Sequence, residues 1–323
     1  MSIAIIGAGM AGLILANTLH QAGYAVTLYE KSRGFGGRMA TRRTEDGNFD
    51  HGAPFFTVRD AEFIHAVANW KEQGLVRAWN GRLRWIGRRG DQQAHQATRY
   101  TGVPSMSRIG RALSTDLTQR SGVRVTALQA MGDRWRLTLD NNETAHHESV
   151  ILAVPAPQAH ALLQGQHYFA ECLTRVEIAP CWTLMARADE NTRNRDLGFD
   201  AAFVADGSAL GWLSREDSKP ERPSSGNWLI HSHAEWAASH LAHAHEWIQH
   251  TLLTEAQKHL GGTLTPVALH RWLYARTLKP LGTAYLYDAS LRLGVVGDWC
   301  LGDRVEHAFL SGHALAQHLL QTR

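Results

Sequence analysis

Two hydrophobic periods run along this chain, and the first thirty residues pass from one to the other and back. Ser2 to Ile6 is a short continuous apolar run, the pattern of a buried parallel strand. From Gly9 onward the residues Ala11, Leu13, Ile14, Leu15 and Leu19 follow helical spacing, and Gly23 ends that helix. Ala25 to Tyr29 predicts a second strand, closed by Glu30. Further on, the spacing predicts a helix over Ala61 to Gly74, a strand over Trp79 to Trp85 and a helix over Ser107 to Arg120. Val123 to Leu128 and Arg134 to Leu139 alternate like strands, and Ser149 to Pro157 reads as a buried strand stopped by prolines. Beyond Gln158, Trp-rich alternating segments, "CWTLMAR" and "NWLIHSH", flank a polar, loop-like stretch, "SREDSKPERPSSGN". Glu235 to Leu260 predicts one long helix, Leu291 to Trp299 a buried strand, and Val305 to Leu320 a final helix.

A chain of 323 residues accommodates two domains. The pattern predicts a nucleotide-binding domain of residues 1–56, 104–156 and 290–323, interrupted by a substrate domain of residues 57–103 and 157–289. Hydrophobic content of 44% and charged content of 20% are ordinary for a globular protein. Net charge is +3, with the excess in arginine and no run of like charges, which argues against a nucleic-acid surface and permits local anion sites. Three cysteines without a CxxC pair suit a reducing compartment, so a cytoplasmic location is expected. Ile3 to Leu19 is apolar enough to mimic a signal peptide, but it lacks a basic leader and its glycines fit a strand-to-helix turn. No other stretch reaches the roughly 18 apolar residues of a membrane span, so no membrane partner is expected, and the oligomeric state is left open.

The chemistry begins at Gly7-x-Gly9-x-x-Gly12, set between strand and helix within a strand–helix–strand unit. The first glycine permits a tight turn, and the second lets backbone N–H groups around Met10 and Ala11 close on a pyrophosphate at the helix N-terminus. The third allows helix and strand to pack. Glu30, with Lys31 beside it, stands where a ribose acid belongs. "RGFGGRMATRR" then places Gly36, Gly37 and Arg38 at the distance where FAD enzymes of the glutathione-reductase type carry paired glycines, with Arg38 as a charge partner for phosphate. In "FDHGAPFFT", Gly52, Ala53, Pro54 and Phe55 offer close approach to a flavin ring. Val125 joins the cofactor side. In "VVGDWCLGDRVEHAFLSG", Asp298 suits ribityl hydroxyls, and the helix opening at Val305 supplies positive potential near the flavin N1 and O2 edge. The expected cofactor is FAD, held non-covalently, since nothing around Cys300 calls for a tether. The expected fold is α/β: a glutathione-reductase-type, p-hydroxybenzoate-hydroxylase-like Rossmann FAD domain with a second α+β substrate domain on a mixed or antiparallel sheet.

With "IIGAGMAG", "GGRMAT", "DHGA", "LAVPAPQ", "CWTLM" and "GDW…VEHAFLSG" in order, the chain resembles the renalase family, a branch of the amine-oxidase-like flavoproteins. The resemblance implies oxidation of misreduced dihydronicotinamide dinucleotides, the 2- or 6-dihydro isomers of NAD(P), to NAD(P)+, with O2 becoming hydrogen peroxide. The partners expected are therefore a small dinucleotide substrate and O2. Hydride transfer between stacked rings needs no protein base, and no catalytic acid or base is assigned. Phe55, Phe56, Trp182, Trp272, Tyr274 and Tyr285 are candidates for a flat substrate slot. Thr57, Arg59, Arg99 and Lys279 are candidates for its polar contacts.

Other readings stay open. An amine oxidase or desaturase-like dehydrogenase would use the same scaffold, and many amine oxidases carry a lysine near flavin N5. Of the five lysines here only Lys279 lies in a plausible region. A non-catalytic binding protein of the GTPase-dissociation-inhibitor kind would have a degenerate nucleotide site, whereas both glycine clusters, Glu30 and Arg38 are intact. The histidines of "HSHAEWAASHLAHAHEWIQH" have no cysteine partner and no HExxH pattern, so no metal is expected. No GxSxG elbow is present.

Overall fold

The computed structural model describes residues 1–45, 47–87, 97–165 and 167–322, together with the backbone of 92–93. The opening unit forms as the pattern requires: strand β1 (Ser2–Ile6), helix α1 (Met10–Gln21) and strand β2 (Ala25–Glu30). Strand β1 lies inside a six-stranded sheet whose order is Thr118–Ser121, β2, β1, Ser149–Leu152, Leu293–Val296, Tyr285–Asp288. The first five run parallel and the last antiparallel. Because β1 is buried on both faces, its alternate residues serve two cores. Ile3 and Ile5 pack with α1 and the C-terminal helix Val305–Gln321, while Ala4 and Ile6 pack with Trp135, Leu137 and Leu139. Those last residues belong to a three-stranded antiparallel layer, Val125–Met131, Arg134–Leu139 and Thr144–His147.

A seven-stranded sheet dominates the rest, in the order Leu264–Lys279, Glu177–Ala188, Asn227–Ser232, Leu210–Arg215, Ala201–Ala205, Leu83–Gly87, Gln92–Gln93. It is mixed: Ala201–Ala205 and Leu83–Gly87 run parallel, and the other neighbours antiparallel. Helix His245–Leu260 covers one face, setting Ile248, Leu252, Ala256 and Leu260 against Trp182, Leu184, Trp228 and Ile230. The opposite face meets the segment after the second glycine cluster, where Phe49 packs on Met185 and Leu229, and Phe55 on Trp212.

Several sequence expectations are corrected. Trp79 to Trp85 is two strands, Val76–Trp79 and Leu83–Gly87, in different sheets. Between them Gly81 turns so tightly that a Cβ there would lie 2.5 Å from the Trp79 indole. The helix over Ser107 to Arg120 stops at Leu113, where the Ser114 and Thr115 hydroxyls both donate to the Arg111 carbonyl, at 2.9 and 3.2 Å. Thr118–Ser121 then becomes the edge strand beside β2. The long helix over Glu235 to Leu260 is two, Ala234–Ser239 and His245–Leu260. His240 Nδ1 hydrogen-bonds the Trp236 carbonyl at 2.7 Å, occupying a group that a continuing helix would use. Tyr285–Asp288, just ahead of residue 290, pairs antiparallel with Leu293–Val296 at the edge of the six-stranded sheet. Among the described residues, no helix is long and apolar enough to cross a membrane.

Candidate functional site

The first glycine turn has three different steric requirements. Gly7 has φ +108°, and a Cβ there would lie 2.5 Å from the Ala153 carbonyl oxygen. A Cβ on Gly12 would lie 2.1 Å from the Gly7 carbonyl oxygen. A Cβ on Gly9, in contrast, would meet no protein atom within 4 Å. Gly9 is the N-cap of α1, no side chain caps it, and the first turn holds no acid. The free N–H groups of that turn, next to Met10 and Ala11, therefore border open space suited to an anion.

The second cluster locks onto the first. Gly36 N donates to the Ala8 carbonyl at 2.8 Å, and Gly36 bridges Gly9 in parallel fashion. A Cβ on Gly37 would lie 3.1 Å from Gly9 Cα, and one on Gly110 would lie 2.8 Å from Gly36 Cα. Part of the need for paired glycines thus comes from backbone packing against Gly9 and Gly110. The Glu30 carboxylate, mostly buried, accepts from Ala8 N and from Ser32 N, each at 2.8 Å. Lys31 is exposed beside it. Val125, at the start of its strand, is buried in the cluster that contains Tyr29.

Arg38 reaches the other end of the chain. Its Nη1 donates to Asp298 Oδ2 at 2.9 Å and to the Ala275 carbonyl at 3.2 Å, and its Nη2 donates to Asp298 Oδ1. Asp298 also accepts from Thr277 Oγ1 at 3.3 Å. At the helix opening with Val305, buried Glu306 accepts from Arg59 N (2.5 Å) and Asp60 N (2.8 Å) and pairs with Arg304 at 2.8 Å. That acid offsets part of the positive potential expected of this helix N-terminus.

Gly52 passes so close to Arg38 that a Cβ would lie 1.9 Å from its carbonyl oxygen, and Ala53 N donates to the same oxygen at 2.8 Å. Pro54 and Phe55 are half-buried just beyond. Next to them His51 stacks on Trp272, with ring centroids 5.2 Å apart, while His270 meets both rings edge-on. Trp272 Nε1 donates to the His51 carbonyl at 2.9 Å. Burial, helped by His270 and Arg42, lowers the His51 imidazole to about 4, and burial lowers His231 to about 4 as well. Both rings are therefore neutral near pH 7, and His51 Nδ1 and His231 Nε2 are buried without hydrogen-bond partners.

Behind His51 sits a buried ionic quartet that sequence reading missed. Asp50 Oδ2 accepts from Lys219 Nζ at 3.3 Å and Arg222 Nη2 at 2.5 Å, and Glu216 Oε1 accepts from Lys219 Nζ at 2.7 Å. All four side chains are at most 2% exposed, although three of them come from the stretch that reads as a polar loop. Burial pushes the Asp50 carboxyl upward, but Lys219 and Arg222 hold it below its ordinary value. Burial raises Glu216.

The substrate candidates divide. Phe55 lies between Trp79 and Trp212, and the Arg99 guanidinium stands 5.9 Å from its ring centroid. Thr57 pairs with Arg99 across two strands and accepts from Arg304 Nη2 at 2.9 Å, with exposed Arg59 two residues on. Tyr274 follows His270 and Trp272 at two-residue spacing along one strand, half-buried. Four candidates are not brought to this place. Phe56 is core, packed against Phe63 and Tyr100. Trp182 faces the helix-covered side of the seven-stranded sheet. Tyr285 packs on His318 in the other sheet's layer. Lys279 is an exposed strand end, 3.6 Å from Glu177. Arg304, His51 and His270 were not singled out in the sequence, and His231 entered only among the histidines for which no metal is expected; the alternation of "LHRWLYAR" was the available signal for His270. An open cleft of about 800 Å³ beside Arg187, Arg193 and Ser224 shares no residue with this site. No cluster of metal-ligating side chains occurs among the described residues.

Over residues 5–69 the sequence matches the NAD(P)-binding Rossmann-like domain. A 4,4'-diapophytoene desaturase (4,4'-diaponeurosporene-forming) from Staphylococcus haemolyticus (strain JCSC1435) is 40% identical over 60 residues, 19% of this chain and 12% of that protein. In three dimensions the chain is similar to a protein from Exiguobacterium sp. 255-15 described as a protoporphyrinogen oxidase, with TM-score 0.79 and 12% identity over 100% of this chain and 99% of that one. It is also similar to a redesigned putrescine oxidase (TM-score 0.70, 13% identity, 100% and 99% covered) and to an oxidoreductase from Methanosarcina mazei (0.70, 13%, 98% and 100%). The protein therefore has the fold of these oxidoreductases, with a Rossmann-type nucleotide unit at its start.

Proposed function

We propose that this protein is a flavoprotein oxidase that returns misreduced 2- or 6-dihydro-NAD(P) to NAD(P)+. On this reading the six-stranded sheet and its layers form a glutathione-reductase-type, p-hydroxybenzoate-hydroxylase-like FAD domain, and the seven-stranded sheet roofs the substrate. The residues fit non-covalent FAD. Open space at Gly9, before the uncapped turn of α1, suits the pyrophosphate, and Glu30 suits the adenosine ribose. Arg38 and Asp298 stand where a long cofactor would pass between the two ends of the chain. Cys300 is buried, and burial pushes its thiol up to about 12, which leaves no thiolate for a tether. Bound there, FAD supplies hydride acceptance at its ring system and reoxidation by O2 to give hydrogen peroxide.

The observation that carries the substrate assignment is the uncharged face of His51, His231, His270 and Trp272 beside Gly52 to Phe55. A neutral, electron-rich dihydronicotinamide ring suits flat neutral partners, and burial keeps both the His51 and the His231 imidazole uncharged beside it. Arg59, Arg99 and Arg304 around Thr57 suit the substrate's diphosphate. The amine-oxidase alternative loses its lysine, since Lys279 is exposed and Lys219 is held in the quartet.

Anaerobic titration of the purified yellow protein with separated 2-dihydro and 6-dihydro isomers tests this. Rapid bleaching of the flavin band by at least one isomer is expected, with peroxide formed on admitting air. A flavin that stays oxidised with both isomers but bleaches with an amine overturns the reading.

A further inference from the structure

One line of side chains crosses the seven-stranded sheet. Trp85 is paired in register with Phe203, Phe203 with Trp212, Trp212 with His231, His231 with Thr183, and Thr183 with His270. The aromatic half of the line is a chain of ring contacts: Trp85 and Phe203 stack 4.6 Å apart at 26°, while Phe203 and Trp212 (4.8 Å, 59°) and Trp212 and Phe55 (5.4 Å, 45°) meet tilted. The histidine half lies beside His51 and Trp272. Midway, Phe55 carries the Arg99 guanidinium, and at the outer end Trp85 is 45% exposed. Hydrogen-bonded strands lie roughly 4.7–4.9 Å apart, so the three steps from His231 to Trp85 span roughly 14 Å, the reach of an extended dinucleotide between its two rings.

We infer that Trp85 is the binding platform for the purine base at the far end of the substrate. The order along the sheet matches the order of groups in a dinucleotide: a neutral ring slot at the histidines, a cation for the diphosphate at Arg99, and an aromatic face for the base. This inference rests on the oxidase reading, because it takes the histidine end as the nicotinamide site. A base stacked on Trp85 touches no reacting atom, so it contributes to substrate binding without altering the chemical step.

The test uses FAD-loaded wild-type, Trp85→Ala and Trp85→Phe enzymes with dihydronicotinamide dinucleotide isomers and with the corresponding mononucleotides, which lack the purine. Calorimetric titration with NAD+ and nicotinamide mononucleotide accompanies the kinetics. Trp85→Ala is expected to raise KM for the dinucleotide and weaken NAD+ binding about tenfold, with kcat and all mononucleotide values unchanged and partial rescue by Trp85→Phe. Unchanged dinucleotide KM and NAD+ affinity in Trp85→Ala, with wild-type enzyme active, overturns the inference and leaves the oxidase reading standing. An equal loss for mononucleotide and dinucleotide also overturns it, since the effect is then structural. Wild-type enzyme that oxidises neither nucleotide overturns the oxidase reading first and this inference with it.

Discussion

Arg38 and Asp298, 260 positions apart, form a two-pronged ion pair that joins the loop after the first nucleotide-binding unit to the turn before the last helix. The same two side chains, one from each end of the chain, are the proposed FAD contacts. Charge-assisted hydrogen bonds contribute about 1.5–3 kcal/mol each, so Arg38→Gln should weaken FAD about 10- to 100-fold. Flavin absorbance retained after gel filtration, followed by FAD titration of the apoprotein, measures this. Full retention with unaltered affinity would remove Arg38 from the cofactor site.

Gly9 and Gly12 should separate binding from folding. Gly9→Ala places its methyl in open space, so thermal stability of the apoprotein should barely move while FAD affinity drops at least tenfold. Gly12→Ala drives a methyl to within 2.1 Å of the Gly7 carbonyl oxygen and should cost about 2 kcal/mol or more in stability. Melting of both apoproteins, paired with flavin titration, distinguishes the two effects. Equal destabilisation by both substitutions would contradict the assignment.

Stability should fall as pH drops from 6.5 toward 4. His51 and His231 are each lowered to about 4, so in that window the unfolded chain binds protons that the native state refuses. The slope is up to about 1.4 kcal/mol per pH unit for each histidine. Glu216 acts in the opposite sense, because its raised native pKa favours the folded state as acid is added near its own titration. Urea midpoints at pH 7, 6 and 5 should decline for the wild type and decline less for His231→Phe. Identical slopes in the two proteins would count against a buried neutral His231.

Lys219→Met should destabilise by about 3–5 kcal/mol, because Asp50 and Glu216 would share a dry interior with Arg222 alone. Chemical denaturation reads this directly. A change under 1 kcal/mol would mean that water reaches the quartet.

Trp182 and Phe56, expected to line the substrate slot, should behave as core. Truncation of either to alanine should cost about 3–5 kcal/mol in stability. At a temperature where the variants remain folded, KM should be nearly unaltered. A large KM increase with little destabilisation would restore them to the slot.

The nucleotide unit was legible because its constraints are local. Gly7, Gly9 and Gly12 are separated by a few residues, and the turn they make depends on steric exclusion within that turn and at the neighbouring strand ends. Strand and helix periods around them identify β1, α1 and β2 for the same reason. The helix over Ser107 to Arg120 was overextended because side-chain bonds to a backbone carbonyl and an edge of sheet awaiting a partner competed with propensity, and neither is visible in spacing.

Amino-acid order alone thus defined the Rossmann entry, the two glycine clusters and the alternation of most strands, since each follows from backbone sterics or burial within a short window. Only folding in three dimensions brought Arg38 to Asp298, turned Asp50, Glu216, Lys219 and Arg222 inward as a buried quartet, and aligned Trp85 with His231. Such pairings depend on which strands become neighbours and in what register, a choice made by the free energy of the whole packed sheet rather than by any segment within it.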